Sequence, residues 1–283
     1  MESAALLTGS LGDTAVLAQA FRAVPNQVSG QASATSRRRY AIDPVRAMRG
    51  FRRLVADKED TGQVFEIMSA LSGRSIPNGY LRMLRTDEGG RQAYLGMELA
   101  DRLDDEAWLA ACPEGSVGAA YRDFRAARGF TAQGLAEESR KVADVEIDAA
   151  HPNGWYARRL RDVHDVWHVL TGYGTDALGE ACVVAFSYPQ TRSAGFAFIA
   201  AGAALEFEKL RKGHPYGRAI LQAWRHGRRA SWLPALDYEA LLSEPLETAR
   251  ARLRIARPSF YEAVPQEARN GYRFDGETSG DPS

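Results

Sequence analysis

The chain has 283 residues, 45% of them apolar and 25% charged, a composition that can bury a sizeable core in one large domain or two small ones. Basic and acidic residues both number 36, so the net charge is zero. That balance excludes a dedicated nucleic-acid binder, which needs a basic footprint, and leaves lipid and small-molecule ligands open.

Residues 1–39 are rich in Ser, Ala and Gly, end in Arg37-Arg38-Arg39, and read as a flexible tail. Glu2 and Asp13 weigh against a transit peptide, because such peptides are poor in acids. Asp43 can cap a helix that has Pro44 at its first position, with Val45, Met48, Phe51, Leu54 and Val55 at helical spacing. Thr61 is placed to cap a second helix carrying Val64, Ile67, Met68 and Leu71, with Gly73 ending it. Tyr80, Leu81, Met83 and Leu84 continue the pattern. Asp104, Asp105 and Glu106 put acid at a helix start, ahead of Trp108 and Leu109. After a turn at Cys112–Gly115, Ser116 caps a helix whose apolar face holds Tyr121 and Phe124.

The spacing of Leu160, Val163, Trp167 and Leu170 predicts one helix over 155–170, broken by Thr171-Gly172-Tyr173-Gly174. Thr175 or Asp176 restarts a helix that should reach about Ser187, before Pro189. Helices over 191–211, 216–229 and 245–255 follow, the last behind a Ser243 cap. From Pro258 onward the pattern dissolves into a polar tail. No sustained period-two alternation marks a strand. The expectation is an all-α helical bundle over residues 40–258, with a metal site between helices and flexible tails at 1–39 and 259–283.

Cys112 and Cys182 are too few and too far apart for a disulfide framework or a zinc knuckle, and read as buried, inert thiols in a reducing compartment. No stretch reaches the ~20 apolar residues that span a bilayer. The nearest, Ala194–Leu205, is rich in small residues and reads either as core packing or as an isoprenoid-lined groove or membrane-facing surface. Arg225, Arg228 and Arg229, beside Trp224 and Trp232, read as a solvated helix end or as a surface for anionic headgroups. His151, His214 and His226 lack partners at ligand spacing and read as surface or loop histidines.

The residues with chemistry lie in His164-Asp165-Val166-Trp167-His168. His164 and His168 are four apart, so their imidazoles leave one helix face on adjacent turns and can share an ion. Asp165 lies at the edge of that face, either as a third ligand or as a partner that orients a histidine. On a straight helix Glu180 would stand roughly 160° away from His164. Gly172 and Gly174 let the chain turn, so Glu180 can return from the first turn of the next helix. The predicted metal site is therefore His164, Asp165, His168 and Glu180, with no catalytic residue assigned beyond them. Imidazole favours zinc or iron over magnesium. The absence of the H-E-x-x-H glutamate removes the zinc-protease reading.

His164, Asp165 and His168, with Glu180 after eleven intervening residues, resemble the signature of the fourth coenzyme Q (ubiquinone) biosynthesis protein family. Asp43-Pro44, Pro113-Glu114-Gly115-Ser116 with Gly118, Tyr121 and Phe124, and Gly227-Arg228-Arg229-Ala230 are similar too. The likeness covers roughly residues 40–258. It implies an all-α fold and a divalent metal, usually zinc, with iron or another divalent ion as alternatives. It also implies oxidative C1 decarboxylation of a polyprenylated 4-hydroxybenzoate, or a non-catalytic scaffold that binds prenyl lipid. The implied partners are the membrane surface and other ubiquinone-biosynthesis proteins, with a homodimer admitted and nucleic acid excluded. The implied place is peripheral, on the cytoplasmic face of a bacterial inner membrane or the matrix side of a mitochondrial one.

Overall fold

A computed structural model describes residues 41–56, 67–68, 70–127, 152–210 and 213–270. The predicted tail at 1–39, the Thr61 cap with Val64, His151 and the end of the 191–211 helix lie outside them.

Among the described residues the fold is all-α. The helices are α1 (Pro44–Ala56), α2 (Ser75–Met83), α3 (Asp87–Leu95), α4 (Leu99–Leu103), α5 (Glu106–Ala110) and α6 (Val117–Ala127). After them come α7 (Pro152–Asp162), α8 (His164–Thr171), α9 (Ala177–Thr191), α10 (Ala194–Leu210) and α11 (Tyr216–Arg229). A 3-10 turn at Leu233–Ala235 leads to α12 (Tyr238–Leu242), α13 (Leu246–Leu253), α14 (Ser259–Glu262) and α15 (Gln266–Arg269). Among the described residues the one extended pairing is an isolated bridge between Ser116 and Pro245.

Local sequence starts several of these helices as expected. Asp43 Oδ1 accepts from Arg46 N at 2.9 Å, Asp105 Oδ1 from Trp108 N at 2.9 Å and Ser116 Oγ from Ala119 N at 3.1 Å. Each satisfies a first-turn N–H that has no partner within its helix.

The core is built around α9, which packs mainly on α11 and α10. Nearly all of α9 is buried, from Leu178 to Phe186. Close approach requires Gly227 of α11, where a Cβ would stand 2.2 Å from the Phe186 carbonyl oxygen. Trp167 is fully buried and donates through Nε1 to the Tyr238 hydroxyl at 2.8 Å, so α8 is pinned to α12 by both apolar area and a satisfied polar atom. Buried Arg159 donates to the carbonyls of Pro234 and Leu236 and lies over the rings of Trp155 and Tyr238.

Several expectations need correction. The helix predicted over 155–170 is two, divided at Val163. Helix α9 runs through Pro189 to Thr191. Pro189 removes one N–H near the helix end, while Thr191 Oγ1 bonds the Ser187 carbonyl and Arg192 closes the helix at φ 58. Ser243 closes α12 and does not cap α13. Residues 259–270, expected in the tail, form α14 and α15, because Tyr261, Val264 and Ala268 supply an apolar stripe that the core covers. His226 is a buried residue of α11, not a surface or loop histidine. The small-residue run of α10 is core packing at Gly195 and Gly202, where a Cβ would meet Met68 and Phe51. Both cysteines are buried and free, as expected, and burial pushes the Cys182 thiol well up.

Candidate metal centre

Three side chains converge where α8 hands over to α9. His164 and His168 leave one face of α8, their ring centroids 4.9 Å apart. Gly172, at φ 75, closes α8 by donating its N–H to the His168 carbonyl. The chain reverses through residues 173–176 and α9 starts at Asp176, whose Oδ1 accepts from Gly179 N at 2.8 Å. That start puts Glu180 in the first turn of α9, facing the histidines. The donor atoms of His164, His168 and Glu180 all lie within 4.8 Å of one another, and the residues are 1%, 1% and 2% exposed.

The donor set fits a metal ion. His168 Nδ1 lies 3.0 Å from the Tyr173 carbonyl oxygen, which fixes Nδ1 as the protonated nitrogen and leaves the Nε2 lone pair facing Glu180. His168 Nε2 and Glu180 Oε2 are 3.3 Å apart, without hydrogen-bond alignment. Two ligands about 2.05 Å from a tetrahedral ion stand roughly 3.3 Å apart. Nε2 of His168 and both carboxylate oxygens of Glu180 are buried with no hydrogen-bond partner among the described residues. Such atoms cost ~1–3 kcal/mol each when left unsatisfied, more if charged. Burial works against a charged His168, but the Glu180 carboxylate, helped by Asp165, outweighs it and holds the imidazole above its ordinary value of 6.5.

Asp165 is not brought into this group. Its Oδ1 stands 3.4 Å from His164 Nδ1, and its side chain is 26% exposed against 1% for His164. One residue on from His164, it has turned by about 100° out of the shared face. Its position is that of a carboxylate behind a histidine, aligning the ring so that Nε2 points inward.

Three supports had no signal at ligand spacing in the sequence. The Tyr173 carbonyl is a backbone atom and leaves no mark on residue type. The Tyr261 hydroxyl, on α14, donates to Asp176 Oδ2 and accepts from Gly174 N at 2.9 Å, so it braces the turn that aims both His168 and Glu180. Arg250, on α13, donates to the carbonyls of Leu170 and Val169, each at 2.9 Å, and neutralises the C-terminal end of α8. The Phe124 ring stacks on His168, with centroids 5.6 Å apart.

The family model described as coenzyme Q (ubiquinone) biosynthesis protein Coq4 matches residues 61–259. The chain belongs to the Coq4 family. The family ties it to ubiquinone biosynthesis. Among similar proteins, the mitochondrial COQ4 homolog of Rattus norvegicus is 32% identical over 157 residues, 54% of this chain and 56% of the relative. The Homo sapiens homolog is 29% identical over 204 residues, 69% of this chain and 72% of that protein. The match thus spans a little over half the length of the rat relative. A crystal structure described as a ubiquinone biosynthesis protein from Nostoc punctiforme covers 76% of this chain and 99% of its own, with a TM-score of 0.54 and 17% identity. That likeness supports the all-α fold of the Coq4-family chain.

Proposed function

We propose that this Coq4-family protein is a metal-dependent enzyme of ubiquinone biosynthesis that removes the C1 carboxylate of a polyprenylated 4-hydroxybenzoate and leaves a hydroxyl there. The observation that carries the reading is the buried His164–His168–Glu180 group, in which His168 Nε2 and both Glu180 carboxylate oxygens have no hydrogen-bond partner among the described residues. His164, His168 and Glu180 would hold the ion, with zinc favoured and iron or another divalent ion as alternatives. When bound, such an ion supplies Lewis acidity toward a carboxylate or phenolate oxygen. The Tyr173 carbonyl keeps the His168 proton on Nδ1. Asp165 stands where it can orient His164 or take up a proton at its half-open carboxylate. Replacing the carboxylate by hydroxyl withdraws two electrons from the substrate, so the reaction requires an external oxidant such as dioxygen or a redox-active ion.

The same reading places the protein peripherally at a membrane, with other ubiquinone-biosynthesis proteins as partners. None of the described helices is long and apolar enough to cross a membrane.

His164→Ala tests the activity. Carbon dioxide release from a polyprenylated 4-hydroxybenzoate should disappear while helical content is kept. Turnover at the wild-type rate in the purified variant would sink the proposal. The deep burial of the three residues favours a second reading, in which the metal only pins α8 to α9 and the protein is a prenyl-lipid-binding scaffold. That reading requires metal removal to lower the melting temperature sharply. A metal-free protein that melts normally but has lost turnover excludes it.

A further inference from the structure

A cavity of about 380 Å³ lies at the opposite end of α9 from the metal centre, beside Arg192. Glu180 and Arg192 are twelve positions apart, roughly 18 Å along a helix, so the two places are distinct. Arg74, Arg82 and Arg192 line the cavity, and among the described residues no aspartate or glutamate does. In a chain of zero net charge that is a concentrated positive patch.

The walls are built rather than incidental. The Arg82 guanidinium lies 4.2 Å over the centroid of the Trp232 ring. That ring is fixed, since its Nε1 donates to the Gln190 carbonyl at 2.7 Å, and Gln190 Oε1 accepts from Leu233 N at 2.9 Å. A guanidinium stacked on a rigid ring keeps its planar fork of donors for an anion and loses little freedom on binding. Burial, and next the neighbouring Arg192 cation, lower the pKa of Arg82, consistent with two like charges held close. Ser75 also lines the cavity; it is 8% exposed, and its Oγ has no hydrogen-bond partner among the described residues. It is the first residue of α2, which has no side-chain cap, so the positive end of that helix lies in the cavity wall. Arg192 alone could be explained as a cation closing α9. That leaves Arg82, the lack of acids among the described lining residues and the Ser75 hydroxyl unexplained.

We infer that this cavity binds the phosphate group of a phosphate ester, held between Arg82 and Arg192 with Ser75 at its base. Tetrahedral, multiply charged oxygen matches several arginine donors and a helix N-terminus. The cavity is larger than a bare phosphate needs, and Leu71 and Ala194 give it an apolar side for an organic group. The phosphate can belong to a membrane lipid headgroup or to a soluble ester.

The test uses the full chain and two probes. Calorimetry measures inorganic phosphate and glycerol 3-phosphate; flotation measures phosphatidylcholine vesicles with and without phosphatidylglycerol. Arg82→Gln and Arg192→Asn should each weaken binding about tenfold, as loss of one charge-assisted hydrogen bond does. Arg218→Gln, an exposed arginine of α11 outside the cavity, should not. Loss of soluble phosphate binding identifies a soluble ester, and loss confined to phosphatidylglycerol vesicles identifies a headgroup; either supports the site. If wild type binds neither probe, or Arg218→Gln loses as much as Arg82→Gln, the proposal is overturned. Should Arg192→Asn unfold the chain, exposed Arg82 decides alone.

Discussion

Glu180, in the first turn of α9, and Gln190, near its end, are both almost wholly buried, yet the protein treats them in opposite ways. Gln190 is saturated: Nε2 donates to the Gly227 carbonyl at 2.8 Å and the Ser231 carbonyl at 3.2 Å, and Oε1 accepts from Leu233 N. Neither carboxylate oxygen of Glu180 has a hydrogen-bond partner among the described residues, and the nearest cationic candidate, His168, is not aligned to donate. A satisfied buried amide is glue between segments. An unsatisfied buried carboxylate beside two imidazoles carries a cost that a bound ion would repay. One helix therefore carries a satisfied buried polar residue near one end and an unsatisfied one near the other, and mutation should separate them.

The largest effect is expected at the metal centre. His168→Ala and Glu180→Gln should each lower metal affinity by more than the ~100-fold that loss of an orienting partner costs. Elemental analysis of protein purified without added metal checks this, and stoichiometric metal in both variants would refute the assignment. At the other end, Gln190→Leu should destabilise the fold by about 2–4 kcal/mol in urea, because it strands the Leu233 N–H and two carbonyls in the core. Metal content of that variant should be unchanged. If Glu180→Gln destabilised the metal-free protein as much as Gln190→Leu does, the contrast between the two ends would fail.

Tyr261→Phe sharpens the comparison. It deletes the hydroxyl that joins Asp176 to Gly174 and so loosens the turn feeding both His168 and Glu180. A tenfold or larger loss of metal affinity, about 1.4 kcal/mol, is expected with both direct ligands intact. Unchanged affinity would show that the turn holds its shape without the brace.

The smallest effect concerns pH. Burial, and then the Arg229 cation, lower the pKa of His226 from 6.5. The unfolded chain therefore takes up this proton at a higher pH than the folded chain. The stability is present above pH 6.5 and is lost as pH falls through the lowered folded value. His168, raised in the metal-free protein, contributes with the opposite sign: its stability is lost as pH rises through its folded value. Comparing wild type with His226→Gln cancels that contribution. The variant's melting temperature should fall less on acidification below pH 6.5, and identical slopes would remove His226 as the cause.

The sequence alone determined the helical class, several helix starts, and the grouping of His164, His168 and Glu180. These follow from local physics: capping by Asp43, Asp105 and Ser116, the i,i+4 spacing of the two histidines, and the glycines that turn the chain back. Asp165 was legible as a neighbour of the site, but its role depends on which way the side chain leaves the helix. Tertiary structure alone decided the rest. Pro189 stays inside α9 because packing on α11 and α10 outweighs one missing hydrogen bond. Residues 259–270 fold because Tyr261, Val264 and Ala268 find a core that local composition does not announce. The Tyr173 carbonyl, the Tyr261 brace and the arginine cavity all join residues far apart in sequence or backbone atoms common to every residue. Local pattern carries no information about such pairings, since their energy exists only once the helices have packed.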